Sequence, residues 1–221
     1  MSCGCDMIGE TGLRFYGKMT ASMSHEIKNA LAIINENAGL LEDFTLMADR
    51  GMPIDPGRLK TLAEKVIKQV QRADGIVKTM NRFAHSIDES VKNVELDEVL
   101  DFVATLSGRL AFVRGVTLEV ESGAIPVTIA TRSFFLENLV WLCLDFAMDA
   151  TGGGKTVGLR AEQTENGARL KLTQLQGLSE RTTSAFPGER EIALLDALRA
   201  ELAINERAAE IVLMLPRDIG Q

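Results

Sequence analysis

Seven positions, Met23, Ile27, Ala30, Ile34, Asn37, Leu41 and Phe44, recur at alternating steps of four and three. All but Asn37 are apolar, and this is the seam of a bundle helix, predicting one helix over about residues 9–47. Gly51, Pro53, Pro56 and Gly57 break the pattern. A second run through Leu62, Val66, Gln69, Ala73, Ile76, Met80, Phe83 and Ile87 obeys the same rule. Residues 9–90 are therefore predicted to form a helical hairpin, preceded by a short tail over residues 1–8.

A helix of about forty residues is roughly 60 Å long at 1.5 Å per residue, and a hairpin of two such helices cannot enclose its own seam. Pairing with a second copy as a four-helix bundle solves the problem with closed two-fold symmetry, so a homodimer is expected. Asn37 has two readings: a polar seam residue that fixes register, or a buried amide satisfied by a local backbone contact.

From Val94 the pattern changes. A helix over Leu96 to Val113 is followed by strand-like pieces at Val116 to Val120 and Val127 to Ala130. An apolar helix at Ser133 to Ala150 comes next, then strands at Thr156 to Ala161 and Ala168 to Gln174, a helix at Glu189 to Glu201 and a strand at Glu210 to Leu215. Helices on one face of a mixed or antiparallel sheet make an α+β sandwich, predicted for residues 94–221.

Composition narrows the class. The chain has 221 residues, 46% hydrophobic and 25% charged, as in an ordinary soluble globular protein. A net charge of -7 and a pI near 5.0 argue against nucleic acid as a partner. The apolar stretch Phe134 to Ala150 is interrupted by Glu137, Asn138, Asp145 and Asp149, so no membrane span is expected. The start of the chain lacks the pattern of a secretory signal, and a cytoplasmic location follows. Only about eight residues precede the first helix, so no sensor domain is expected ahead of the hairpin, and input would come through a partner. Cys3 and Cys5 are read as reduced thiols of the tail and Cys143 as a core residue. No metal site is predicted.

Candidate chemistry concentrates in Ser24-His25-Glu26-Ile27-Lys28-Asn29. A neutral imidazole is a good nucleophile near pH 7. Glu26 is placed to orient the ring, and Asn29 lies one turn on at i+4. With Met23 and Ile27 in the seam, His25 faces solvent at an outward position, and Asn29 does too.

This stretch resembles the phospho-acceptor box of bacterial sensor histidine kinases, with Ala30 where that family usually has proline. Gln69-Val70-Gln71-Arg72-Ala73 through Arg82-Phe83-Ala84 is similar to the family's second helix, and Val94-Glu95-Leu96-Asp97-Glu98-Val99-Leu100 to the segment opening its ATPase-like domain, of the gyrase, Hsp90 and kinase type. The resemblance implies that His25 carries a phosphoryl group as a phosphoramidate, that Glu26 polarises the imidazole, and that Asn29 positions a water for dephosphorylating a partner's phospho-aspartate. It also implies a response-regulator receiver as partner.

Three nucleotide-binding features of the family are replaced. In Leu144-Asp145-Phe146-Ala147-Met148-Asp149-Ala150-Thr151, Phe146 stands where an Mg²⁺-binding asparagine is expected, and an apolar ring cannot ligate a hard cation. Gln174-Leu175-Gln176-Gly177-Leu178 stands in place of Asp-x-Gly-x-Gly, whose carboxylate holds the adenine amine. Gly188-Glu189-Arg190-Glu191 leads straight into a helix without a glycine-rich lid. Gly152-Gly153-Gly154-Lys155-Thr156 imitates the end of a Walker A loop but has Asp149 at the required first glycine and precedes a strand. ATP and Mg²⁺ are therefore not expected as cofactors.

The sequence thus predicts a dimeric two-component phosphotransfer protein acting through His25 in a phosphorelay. The other readings it admits are an ATP-dependent histidine kinase with a divergent site, a response-regulator phosphatase depending on Asn29, and a non-catalytic dimeric scaffold. Lys28, Arg72, Lys78 and Arg82 are candidates for a basic docking surface.

Overall fold

A computed structural model describes residues 2–88, 90–123, 125–152, 155–178 and 185–220, with side chains from residue 6 onward. The chain divides into two compact units, residues 20–85 and residues 1–19 with 86–221.

Residues 20–85 hold the hairpin. Helix α1 runs Ser2–Asp49 and helix α2 runs Pro56–Ala84. The segment expected to be a tail is thus helical from Ser2. Gly51, at φ 81°, makes the left-handed turn that reverses the chain. Asp55 caps α2 by accepting from the Gly57 N–H at 2.9 Å, with Pro56 in the first turn, where its missing donor costs nothing. Met23, Ala30, Leu62 and Phe83 are buried, and Ile27, Ile34, Leu41, Val66, Ala73, Ile76 and Met80 are half-buried, as the seam predicts. Ile87 departs from it: α2 ends at Ala84, and Ile87 is exposed in a short 3-10 turn, His85–Ile87. Asn37 donates through Nδ2 to the Ile33 carbonyl at 2.6 Å, the local backbone contact.

The other unit is an α+β layered domain. Its five-stranded sheet has the order β2-β4-β5-β7-β6, with β2 Thr117–Glu121, β4 Thr156–Thr164, β5 Gly167–Thr173, β6 Glu201–Asn205 and β7 Glu210–Pro216. β2 and β4 are parallel and all other neighbours antiparallel. A separate pair joins β1, Lys92–Glu95, to β3, Thr128–Thr131. The pleat sends alternate residues to one face, so the paired row Leu159, Leu172 and Ile211 is buried, while Arg160 and Lys171 lie on the opposite side.

Three helices, α3 Leu96–Arg114, α4 Ser133–Asp149 and α5 Glu189–Leu198, belong to this unit. Thirteen of the seventeen residues of α4 are buried, which makes it the centre of the core rather than an amphipathic cover. The first turns of α1 pack here as well: Phe15 tilts against Phe134 at 5.7 Å, and the Lys18 ammonium sits 4.7 Å from the Trp141 ring centre.

Two strands depart from the sequence reading. β6 was not expected, and the helix expected to reach Glu201 ends at Leu198, because Arg199 takes a left-handed conformation at φ 50° and ends α5 without a glycine. β1 was read only as the approach to α3. No helix among the described residues is long and apolar enough to cross a membrane.

Candidate functional site

His25 and Asn29 are both exposed on α1. Glu26 is half-buried, and its Oε2 accepts a hydrogen bond from Arg72 Nη2 of α2 at 3.2 Å. The hairpin therefore presents an accessible imidazole beside a carboxylate whose direction is fixed from the other helix. Arginine is permanently charged and only donates, so the carboxylate is held as an acceptor. Position and sequence pattern located His25, Glu26 and Asn29, but Arg72 entered only as a docking cation. Its pairing with Glu26 depends on the register of the two helices, which no local motif encodes.

The second candidate region lies between the last turns of α4 and the start of α5. A cavity of about 310 Å³ is lined by Leu142, Asp145, Phe146, Asp149, Phe186 and Glu191, among others. Phe146 stacks flat on Phe186, with ring centres 4.2 Å apart and planes 7° from parallel. Asp145 is engaged by Arg114, which donates from Nη2 to its Oδ1 at 2.7 Å and from Nη1 to its carbonyl at 3.0 Å. Lys18 approaches the same carboxylate at 3.5 Å. At the N-terminus of α5, Glu191 is buried and its Oε2 accepts from the Gly188 N–H at 2.8 Å. Helix N-termini attract anions, and here the chain supplies its own.

Beyond β5, Leu175 is fully buried and its N–H donates to the Ala209 carbonyl at 2.9 Å. The Gly177 N–H donates to the Ala150 carbonyl at 2.8 Å, and a Cβ on Gly177 would come within 2.9 Å of that oxygen. Thr156 opens β4, so the lysine-containing run leads into a strand; Gly153 and Gly154 lie outside the described residues. Cys143 is buried as expected, and desolvation, with Glu191 nearby, pushes its thiol pKa far up, which leaves it unreactive. The side chains of Cys3 and Cys5 lie outside the described residues. Among the described residues, no three His, Cys, Asp or Glu side chains are grouped to hold a metal ion.

Residues 16–89 match the family model of the His Kinase A (phospho-acceptor) domain, which spans both hairpin helices and includes His25. Residues 16–89 thus carry a histidine-kinase phospho-acceptor domain. Among solved structures it is similar to the Acinetobacter baumannii histidine kinase AdeS, at 13% identity over 87% of this chain and 98% of that one, with a TM-score of 0.48. It is similar to a bacterial phosphotransferase at 13% identity, over 91% and 95% of the two chains, with a TM-score of 0.45. A histidine kinase ThkA, solved in complex with the response regulator protein TrrA, is 18% identical over 93% of this chain and 63% of that one, with a TM-score of 0.45. No curated protein matches the chain.

Proposed function

We propose that the protein passes a phosphoryl group between His25 and the aspartate of a response-regulator receiver, and that it does so without binding ATP. The observation that carries the second half is the flat stack of Phe146 on Phe186. Phe146 sits where the resemblance expects a magnesium-binding asparagine, and its ring offers no oxygen to a hard cation. The buried Glu191 carboxylate at the start of α5 adds negative charge where a phosphate would have to sit. These residues do not fit a magnesium nucleotide.

In the acceptor direction, the lone pair of a neutral imidazole nitrogen attacks phosphorus in the receiver's aspartyl phosphate. A nitrogen–phosphorus bond forms, the bond from phosphorus to the aspartyl oxygen breaks, and that electron pair stays on the carboxylate. The proton on the other ring nitrogen remains in place, and the positive charge gained by the ring is offset by Glu26. Such a transfer asks mainly for positioning and charge compensation, which a solvent-facing helical histidine can supply. Asn29, one turn on, would assist hydrolysis of the receiver's phospho-aspartate.

The active form in this reading is a cytoplasmic homodimer. Leu31, Ile67, Val70 and Val77 of the hairpin are exposed apolar side chains that a second copy would cover. Calorimetric titration with magnesium ATP tests the nucleotide half: no binding heat is expected up to millimolar nucleotide, and saturable micromolar binding would overturn it.

A further inference from the structure

We infer that Arg72 is a positioning residue for phosphoryl transfer, acting through Glu26 rather than by binding the receiver. This rests on the reading of His25 as the phosphoryl carrier and assigns to that site a member from the opposite helix.

The ion pair contributes little to stability where it lies. Arg72 is about half exposed, and Glu26 retains about a quarter of its side-chain exposure, at 48% and 28%. Exposed pairs of this kind add little to folding, being screened by water and opposed by side-chain entropy. Its place is the informative feature. Glu26 follows His25 directly on α1, and an ion pair between the two helices falls on that carboxylate. Two further pairs of α2, Lys60 with Glu64 and Lys78 with Asp74, lie within the helix one turn apart.

The physical need is clear at this level. An unrestrained glutamate next to the nucleophile has several rotamers, and its charge repels an arriving phosphoryl group. The guanidinium holds one carboxylate oxygen at 3.2 Å, selects a rotamer and compensates the charge. A lysine, with a point charge and no planar fork, would compensate the charge while fixing the direction less well.

A docking role and a positioning role separate kinetically. The protein is titrated with a phosphorylated receiver, and transfer to His25 is followed for wild type, Arg72→Gln, Arg72→Lys, Glu26→Gln and the Arg72→Gln/Glu26→Gln double variant. Arg72→Gln is expected to lower the saturating transfer rate on the order of tenfold or more, with half-saturation within about twofold of wild type. Arg72→Lys recovers part of the rate. In the Glu26→Gln background the Arg72→Gln change has little further effect, because the two residues act as one unit. Helix content by circular dichroism stays that of wild type.

A raised half-saturation concentration with an unchanged rate would assign Arg72 to docking and overturn the inference, as would an unchanged variant or effects that multiply independently. Loss of helix content in Arg72→Gln would make the pair structural, and so also overturn it. Wild-type protein that accepts no phosphoryl group would instead overturn the reading of His25.

Discussion

The hairpin of residues 20–85 and the sheet unit differ in how completely they bury a core, although both leave some large apolar side chains exposed. In the sheet unit, Leu136, Leu139, Leu144, Leu159, Leu170 and Leu172 are all but inaccessible, and even the cavity beside α4 is floored by two stacked phenylalanines. In the hairpin, Leu31, Ile67 and Val70 are each more than half exposed, and His25 faces outward. The sheet unit closes one dense core while leaving Phe112, Val113 and Ile125 exposed, whereas the hairpin buries few side chains fully and carries His25 on its outer face. In the proposed reading, packing groups stand where the family's ligand-binding groups are expected in the first, and the second is left open for exchange with a partner.

Truncation should separate the two most strongly. Leu172→Ala is expected to cost about 2 to 5 kcal/mol in urea unfolding, since it removes a fully buried side chain and leaves a cavity. Leu31→Ala, at an exposed site, should change the unfolding of the monomeric chain by less than about 0.5 kcal/mol. Equal costs would erase the contrast. The next largest effect is on association: Ile67→Glu would place a charge in the proposed dimer face and weaken dimerisation by roughly 2 kcal/mol or more, read by light scattering across a dilution series. Persistence of the wild-type dimer would mean that Ile67 lies outside the interface.

Smaller effects sharpen the comparison. Asp55→Ala removes the cap of α2 and should lower hairpin stability by about 1 kcal/mol in thermal unfolding. On the sheet, desolvation raises the Glu162 pKa, but hydrogen bonds and charges from Lys171 and Arg169 outweigh it and hold the carboxyl below its ordinary value. A depressed folded pKa contributes stability above the ordinary carboxylate range, lost as pH falls through the folded value. Glu162→Gln should therefore cost up to about 1 kcal/mol at pH 7, and the difference from wild type should shrink toward pH 3.

Much of this was legible in the sequence because periodicity carries it. The seam residues of both helices as far as Phe83, the apolar run of α4 and the outward position of His25 follow from spacing alone, whereas Ile87 falls outside the helix. β6 was not legible because Arg199, a residue with no special freedom at positive φ, ends α5. The Asn37 amide had two readings, and only its distance to the Ile33 carbonyl decides between them. The Arg72–Glu26 pair and the Phe146–Phe186 stack join residues distant in sequence, and such contacts are set by tertiary register, not by pattern.

The central claim is that His25 receives its phosphoryl group from another protein. It is tested most directly by offering the protein two labelled donors separately, magnesium ATP and a phosphorylated receiver, and scoring acid-labile label on wild type and His25→Gln. The account predicts label from the receiver on wild type only, and none from ATP on either protein. Label from ATP on His25 would contradict it.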